Sequence, residues 1–260
     1  MLNGLSSDHT EALALDEGDD EKFQIRSIVK VPGGNCFKGV FGRCRFGEKP
    51  VQAKDDGTET DVDLKPGHGL VEKNYFLFFP AKNLLVYQRN STGSHYSRLQ
   101  RYLNMAIAPP RAIGLEPILT TDSYKRLING GSARTVDISF QQPKDATIYK
   151  DALVQDAIKL VGKAHGLNAR IRIGVGRTKN TLLSNIKEAA IVLAQSGLAR
   201  VARIQLEDES EPVDLIADRI VETIQVKLDA NGRPNSDSLY GAMNVAVDKR
   251  QDDLKTFYGS

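Results

Sequence analysis

The sequence predicts an α+β fold: an N-terminal antiparallel β-rich part, then a mixed sheet with packed helices, then a C-terminal amphipathic helix. Three patterns carry this reading. Residues 23–89 hold short runs that alternate apolar and polar side chains, residues 133–206 exchange strand-like with helix-like periodicity, and residues 236–258 repeat apolar positions at helical spacing. Elements that are apolar on one side bury that side by stacking in layers of sheet and helix. With 260 residues, 40% of them hydrophobic, the chain can build one large domain or two modest ones. The patterns divide it into an acidic, solvated tail (1–21), a β-rich domain (22–130) and an α/β domain (131–260).

In the first part, Phe23, Ile25, Val29 and Val31 alternate with Gln24, Arg26, Ile28 and Lys30, which predicts a half-buried strand. Pro32-Gly33-Gly34-Asn35 is a turn cluster, and residues 37–46 supply the hairpin partner. Residues 55–63, with Asp55, Asp56, Glu59, Asp61 and Asp63, read as a polar loop. Two apolar runs, 75–79 and 83–89, flank Pro80-Ala81-Lys82 at hairpin spacing. Leu99, Tyr102, Leu103 and Ala106 follow at helical spacing, and Pro109-Pro110 stops that helix, on which Arg98 and Arg101 share a face.

The second part opens with a strand at 133–140 and a helix between Asp151 and Lys163, striped by Leu153, Val154, Ala157, Ile158 and Val161, with Gly166 placed as its left-handed terminator. In residues 169–175 the period of two sends Ile171, Ile173 and Val175 toward a core and Arg170 and Arg172 to the other face. Asn180 or Thr181 can cap a helix bearing Leu182, Leu183, Ile186, Ala190 and Leu193, ended by Gly197. A strand at 199–206 follows, then a long β-prone run at 213–228. The closing helix carries Leu239, Met243, Val247, Leu254 and Phe257 on one stripe, which is expected to pack on its own sheet.

Several function classes lack their chemistry. No run approaches the roughly 20 apolar residues that span a bilayer. Residues 8–21 hold seven acids and no Lys or Arg, unlike a secretory signal, and the two cysteines, Cys36 and Cys44, form no disulfide framework. A reduced, cytoplasmic setting is therefore expected. Two thiols without histidines at finger spacing leave half a tetrahedral zinc shell empty, and the acids of 55–63 lack the EF-hand register. Gly174-Val175-Gly176-Arg177-Thr178-Lys179 at a strand end lacks the third glycine of a dinucleotide fingerprint and reads first as a tight turn. His9, His68, His95 and His165 sit in no nucleophile signature, and His95 reads as a surface residue at a helix start. No cofactor, metal site or catalytic set is expected. A dispersed metal-dependent nuclease site, using acids such as Asp137 or Asp214, stays open as an alternative.

Charge is segregated along the chain although its net value is only +2. Residues 81–115 carry Lys82, Arg89, Arg98, Arg101 and Arg111 against no acid. Residues 167–205 carry Arg170, Arg172, Arg177, Lys179, Lys187, Arg200 and Arg203 against Glu188 alone, whereas 207–229 hold eight acids against Arg219 and Lys227. If the strands bearing Arg170, Arg172, Arg200 and Arg203 are neighbours, with Arg177 and Lys179 at a helix entrance, they form a cationic surface suited to phosphate backbones rather than to base edges. Arg98 and Arg101 extend the same set. The competing expectation pairs Arg170 and Arg172 with Glu207, Glu209 or Glu222 inside the fold.

The order of elements over residues 75–259 resembles the RexA-like proteins of phage exclusion and defence. The likeness lies in Tyr75-Phe76-Leu77-Phe78-Phe79 with Leu84-Leu85-Val86-Tyr87-Gln88-Arg89, the helix Ser97-Arg98-Leu99-Gln100-Arg101-Tyr102-Leu103, Leu115-Glu116-Pro117-Ile118-Leu119, Val136-Asp137-Ile138-Ser139-Phe140, and the ending from Tyr240-Gly241-Ala242-Met243 to Phe257-Tyr258-Gly259. No site residue transfers from it. The resemblance implies a cytoplasmic, homodimeric, sequence-tolerant DNA-binding protein acting between phage and host. A second class remains, a protein-interaction module with the acidic tail and the run 207–211 as a partner surface or DNA mimic, and the resemblance implies that it would sense or sequester a phage or host protein.

Overall fold

The computed structural model describes residues 14–16, 20–47, 50–106, 113–142, 151–176, 178, 180–195 and 198–258. The chain is α+β and divides into two compact units, Met1–Leu115 with Ile224–Val247, and Glu116–Thr223 with Asp248–Ser260. The expected boundary lay at 130/131 with an undivided C-terminal part. In the structure the C-terminal segment is divided: Leu239, Tyr240 and Met243 pack in a core of the first unit, and Phe257 packs on Tyr124 in the second.

The first unit is built on an antiparallel sheet ordered β1-β2-β3-β6-β7, from Leu15–Asp16, Glu21–Lys30, Phe37–Arg45, Leu70–Phe79 and Leu84–Tyr87. β4 (Val51–Ala53) and β5 (Glu59–Asp61) form a separate exposed hairpin where a polar loop is expected. Alternation along β6 sends Phe76 and Leu77 to opposite faces, so the sheet has a core on each. On one face Phe23, Ile25, Phe41 and Phe76 pack with Leu99, Tyr102 and Leu103 of α1 (Tyr96–Ala106). On the other, Leu77 packs with Leu239, Tyr240 and Met243 of a C-terminal helix. The Tyr240 hydroxyl donates to the Gly39 carbonyl at 2.9 Å, and a Cβ at Gly39 would lie 2.0 Å from Phe76 Cζ.

Two expectations for this unit are corrected. The uniform alternation assigned to residues 23–31 is broken by a register shift between Ile25 and Ser27, so Ile28 packs on the core while Val29 is 60% exposed. One inserted residue inverts the phase of everything after it. The expected solvated tail over 1–21 is contradicted at its described residues: Leu15–Asp16 pairs with β2, Leu15 is buried in the core and Glu21 opens β2, while residues 1–13 and 17–19 lie outside the described residues.

The second unit holds a four-stranded sheet ordered β11-β10-β8-β9, from Val213–Asp214, Ala199–Leu206, Ala133–Gln141 and Asn168–Gly174. Every neighbouring pair is antiparallel, where a mixed sheet is expected. Val136, Ile138, Phe140, Ala202 and Ile204 form a core with Val154, Ile158 and Val161 of α3 (Ala152–Lys163) and Ala190 and Leu193 of α4 (Ser184–Gln195). Asp151 caps α3 by accepting from the Val154 N–H at 2.9 Å, and the left-handed residue after it is His165, φ 53°, rather than Gly166. α4 starts later than a cap at Asn180 or Thr181 would set, and Gly197 lies outside the described residues. α2 (Thr121–Asn129) is a helix the sequence reading did not assign.

The β-prone run 213–228 forms only the two-residue β11, because the Asp214 carboxylate accepts from the Ile216 and Ala217 N–H groups and turns the chain. The single closing helix is two, α5 (Ser236–Lys249) and α6 (Gln251–Tyr258). Leu239, Tyr240 and Met243 of α5 serve the first unit. In the second unit, the α6 ring of Phe257 packs on Tyr124 of α2 at 4.5 Å, and Asp253 Oδ1 accepts from the Thr121 N–H at 3.1 Å.

Candidate interaction surface

Helices α3 and α4 cover one face of the second sheet, and among the described residues no helix covers the outward phase of its strands, which forms a helix-free face. Ladder register places Arg172 of β9 opposite Asp137 of β8, Asp137 opposite Arg203 of β10, and Arg203 opposite Asp214 of β11. One cross-strand row thus alternates in sign over four strands. In the next row Arg170 stands opposite Ser139, which stands opposite Val201.

The row is closed by ion pairs. Arg170 Nε donates to Asp137 Oδ1 at 2.9 Å and its Nη2 to Oδ2 at 2.7 Å, while Arg203 Nε donates to Asp214 Oδ2 at 2.8 Å. The arginine side chains are 62% and 51% exposed and the carboxylates only 14% and 18%, so the acids lie low between guanidinium groups held in solvent. The hydrogen bond from Arg170 holds the Asp137 carboxyl below the usual carboxylate range, with Arg172 and Arg203 adding to it. Burial pushes the Asp214 carboxyl up, but hydrogen bonds from Arg203 and from the Ala217 and Ile216 N–H groups outweigh it and the net shift is downward.

The expected cationic surface is therefore assembled only in part. Arg170, Arg172 and Arg203 share the face, but Asp137 and Asp214 are interleaved with them. Arg200 is exposed at a register shift at the start of β10. Lys187 is spent on structure: its Nζ donates to the carbonyl of Leu127 in the last turn of α2 at 2.6 Å and to that of Gly131 just beyond it at 3.1 Å, and burial lowers its pKa. Arg177 and Lys179 lie outside the described residues. Arg98 and Arg101 sit on α1 in the first unit, with the Arg98 guanidinium 5.6 Å from the Phe23 ring. Of the three acids expected as partners of Arg170 and Arg172, Glu209 pairs with Arg126 and Glu222 with Arg250 and Lys249. Asp137, on the outward phase of the central strand, is the partner that sequence reasoning missed; its position three residues from buried Phe140 was the available signal.

The remaining motifs resolve locally. Gly176 has φ 65° and Arg134 donates to the carbonyls of Gly176 and Thr178, so Gly174-Val175-Gly176 belongs to a tight turn tied to β8. His95 Nδ1 lies 2.9 Å from Ser97 Oγ and accepts from the Ser97 N–H at 3.3 Å, at the start of α1. Cys36 and Cys44 are free and buried. Among the described residues no three metal-ligating side chains converge, and no helix is long and apolar enough to cross a membrane.

β9 is the edge of its sheet. The Val175 N–H donates to Arg134 O, and Gln142 N–H donates to Leu167 O, which fixes the odd-numbered residues of this strand as those bonded to β8. The N–H and C=O groups of Asn168, Arg170, Arg172 and Gly174 consequently point away from β8, along the open edge.

Among the described residues these features define an α+β protein whose second unit presents a charged, helix-free sheet face and a free strand edge. A family of unknown function, DUF6731, matches residues 5–255, and the chain belongs to that family. No curated protein and no solved structure matches it.

Proposed function

We propose that this protein is a non-catalytic interaction module that captures a protein partner through the helix-free face and free edge of its second sheet. The observation that carries the reading is the alternating row Arg172, Asp137, Arg203, Asp214. A polyanion laid on this face meets two carboxylates at its centre, whereas a protein surface of mixed sign complements both charges. The resemblance to phage-exclusion proteins supports a phage or host protein as the partner. The test is affinity purification from nuclease-treated lysate followed by reconstitution from purified components. A stoichiometric complex that forms without nucleic acid, and weakens at least tenfold with Asp137→Lys, is the expected result. Failure to reconstitute any such complex overturns the reading.

Sequence-tolerant DNA binding is the second reading, favoured by Arg172 and Arg200, which are exposed beside the paired Arg170 and Arg203. It expects duplex binding whose logarithm falls with the logarithm of salt by about 0.9 per phosphate neutralised. Titration of labelled duplex at two salt concentrations decides it, and no binding at low salt removes it.

A further inference from the structure

Resting on the protein-partner reading, we infer that the β9 edge is completed by an added strand from the partner, an extended segment in which Asp or Glu alternates with apolar residues. The outward N–H and C=O groups of Asn168, Arg170, Arg172 and Gly174, which no strand of the described residues pairs, form the ladder that such a strand requires. Side chains flanking that ladder set its chemistry. On the helix-free face, every second residue of an added strand lies beside Arg170 or Arg172. Arg172 is exposed, and its direct neighbour Asp137 is already clamped by Arg170, so among the described residues its charge is available to an incoming acid. On the opposite face the alternate residues of the added strand lie beside Ile171, which packs on the core, and Ile173, which is 37% exposed. Apolar side chains there extend the core by one strand.

The same register argues against a second copy of this chain as the occupant. Antiparallel self-pairing must match even-numbered residues with even-numbered residues, because those carry the outward groups. Centred on Ile171 it sets Arg170 against the other copy's Arg172 twice; centred on Arg170 or Arg172 it sets that arginine against itself. Like charges directly opposite one another are destabilising, and charged edge residues are a known device against self-pairing. The arginines that repel a second β9 attract an acidic strand.

The probe is a fluorescein-labelled synthetic decapeptide alternating Asp and Val, titrated against the full chain by anisotropy. Comparators are a Lys/Val peptide, an Asp/Val peptide N-methylated on every second residue along one edge, and a single-stranded oligonucleotide of equal length. The inference expects the Asp/Val peptide to bind at least tenfold more tightly than the Lys/Val peptide. It expects Arg172→Glu and peptide N-methylation each to weaken binding at least tenfold, with the melting curve of Arg172→Ala unchanged. N-methylation leaves the protein untouched, so it tests strand addition even if the Glu variant folds poorly. Equal binding of the methylated and unmethylated peptides overturns strand addition, as does binding of the oligonucleotide alone, and a dimeric mass lost on Arg172→Pro, which removes an outward N–H and leaves the β8 ladder bonded, assigns the edge to self-association instead. If the peptide fails while the reconstituted partner complex still forms, this inference falls and the protein-partner reading stands. If both fail, both fall.

Discussion

Arg170 clamps Asp137 with two near-parallel hydrogen bonds of 2.9 and 2.7 Å, although ladder register sets Arg172, not Arg170, directly opposite Asp137. Among the described residues the diagonal clamp leaves Arg172 without a hydrogen-bonded carboxylate and makes the two arginines of one strand face unequal. Arg170→Ala should therefore lower the melting temperature measurably while Arg172→Ala leaves it unchanged. Asp137→Ala should cost more than either, since it leaves Arg170, Arg172 and Arg203 facing one another. Thermal melts of the three variants check the order; equal effects of the two arginine variants contradict it.

Acid should loosen the second unit through the same carboxylates. Asp137, Asp214 and Asp253 all have carboxyls held below their ordinary value, Asp137 by Arg170 and Asp253 by the Thr121 N–H. A group lowered in the folded state contributes stability above its unfolded pKa of about 3.9, and that contribution is lost as pH falls through the folded value. The melting temperature should hold from neutral pH to about pH 5 and fall below about pH 4. Asp137→Asn should be less stable than the parent at neutral pH yet lose less on acidification. Parallel pH curves for parent and variant contradict this.

The register shift in β2 makes a test of neighbouring residues. Ile28→Ala should cost about 2 kcal/mol, because Ile28 packs on the core that holds Phe23 and Phe41. Val29→Ala should change stability by no more than about 0.5 kcal/mol, since Val29 is 60% exposed. Chemical denaturation of the two variants gives both values, and the reverse order restores the uninterrupted alternation.

Gly39→Ala should destabilise by about 1–3 kcal/mol, because the added methyl meets the Phe76 ring and the Gly39 carbonyl is the acceptor of the Tyr240 hydroxyl. Tyr240→Phe should cost about 1 kcal/mol by removing that bond alone. A neutral Gly39→Ala contradicts the close approach of β3 and β6.

Elements whose periodicity spans their whole length were legible in the sequence. The strand 199–206 and the helix ending at Lys163 fall where their patterns put them, as does the hairpin around Pro80. What stayed hidden depended on single residues or on distant partners. The β2 register shift follows from pairing with β3, and the short β11 follows from one Asp214 side chain capturing two N–H groups. The C-terminal helix divides at Arg250, which donates to Glu222, a residue far away in sequence. The site shows the same limit. Period two correctly put Arg170 and Arg172 on one face, but only the order of strands reveals that Asp137 and Asp214 are interleaved with the arginines. Linear charge counts see seven cations against one acid between 167 and 205, because Asp137 and Asp214 lie outside that window.

Residue-resolved amide hydrogen exchange of the reconstituted complex tests the central claim most directly, because the register of β9 makes its amides alternate. The account predicts that binding newly protects the N–H groups of Asn168, Arg170, Arg172 and Gly174, while the already bonded odd-numbered amides of β9 change little. Protection confined to other parts of the chain, with the even-numbered β9 amides exchanging as fast as in the free protein, would contradict it.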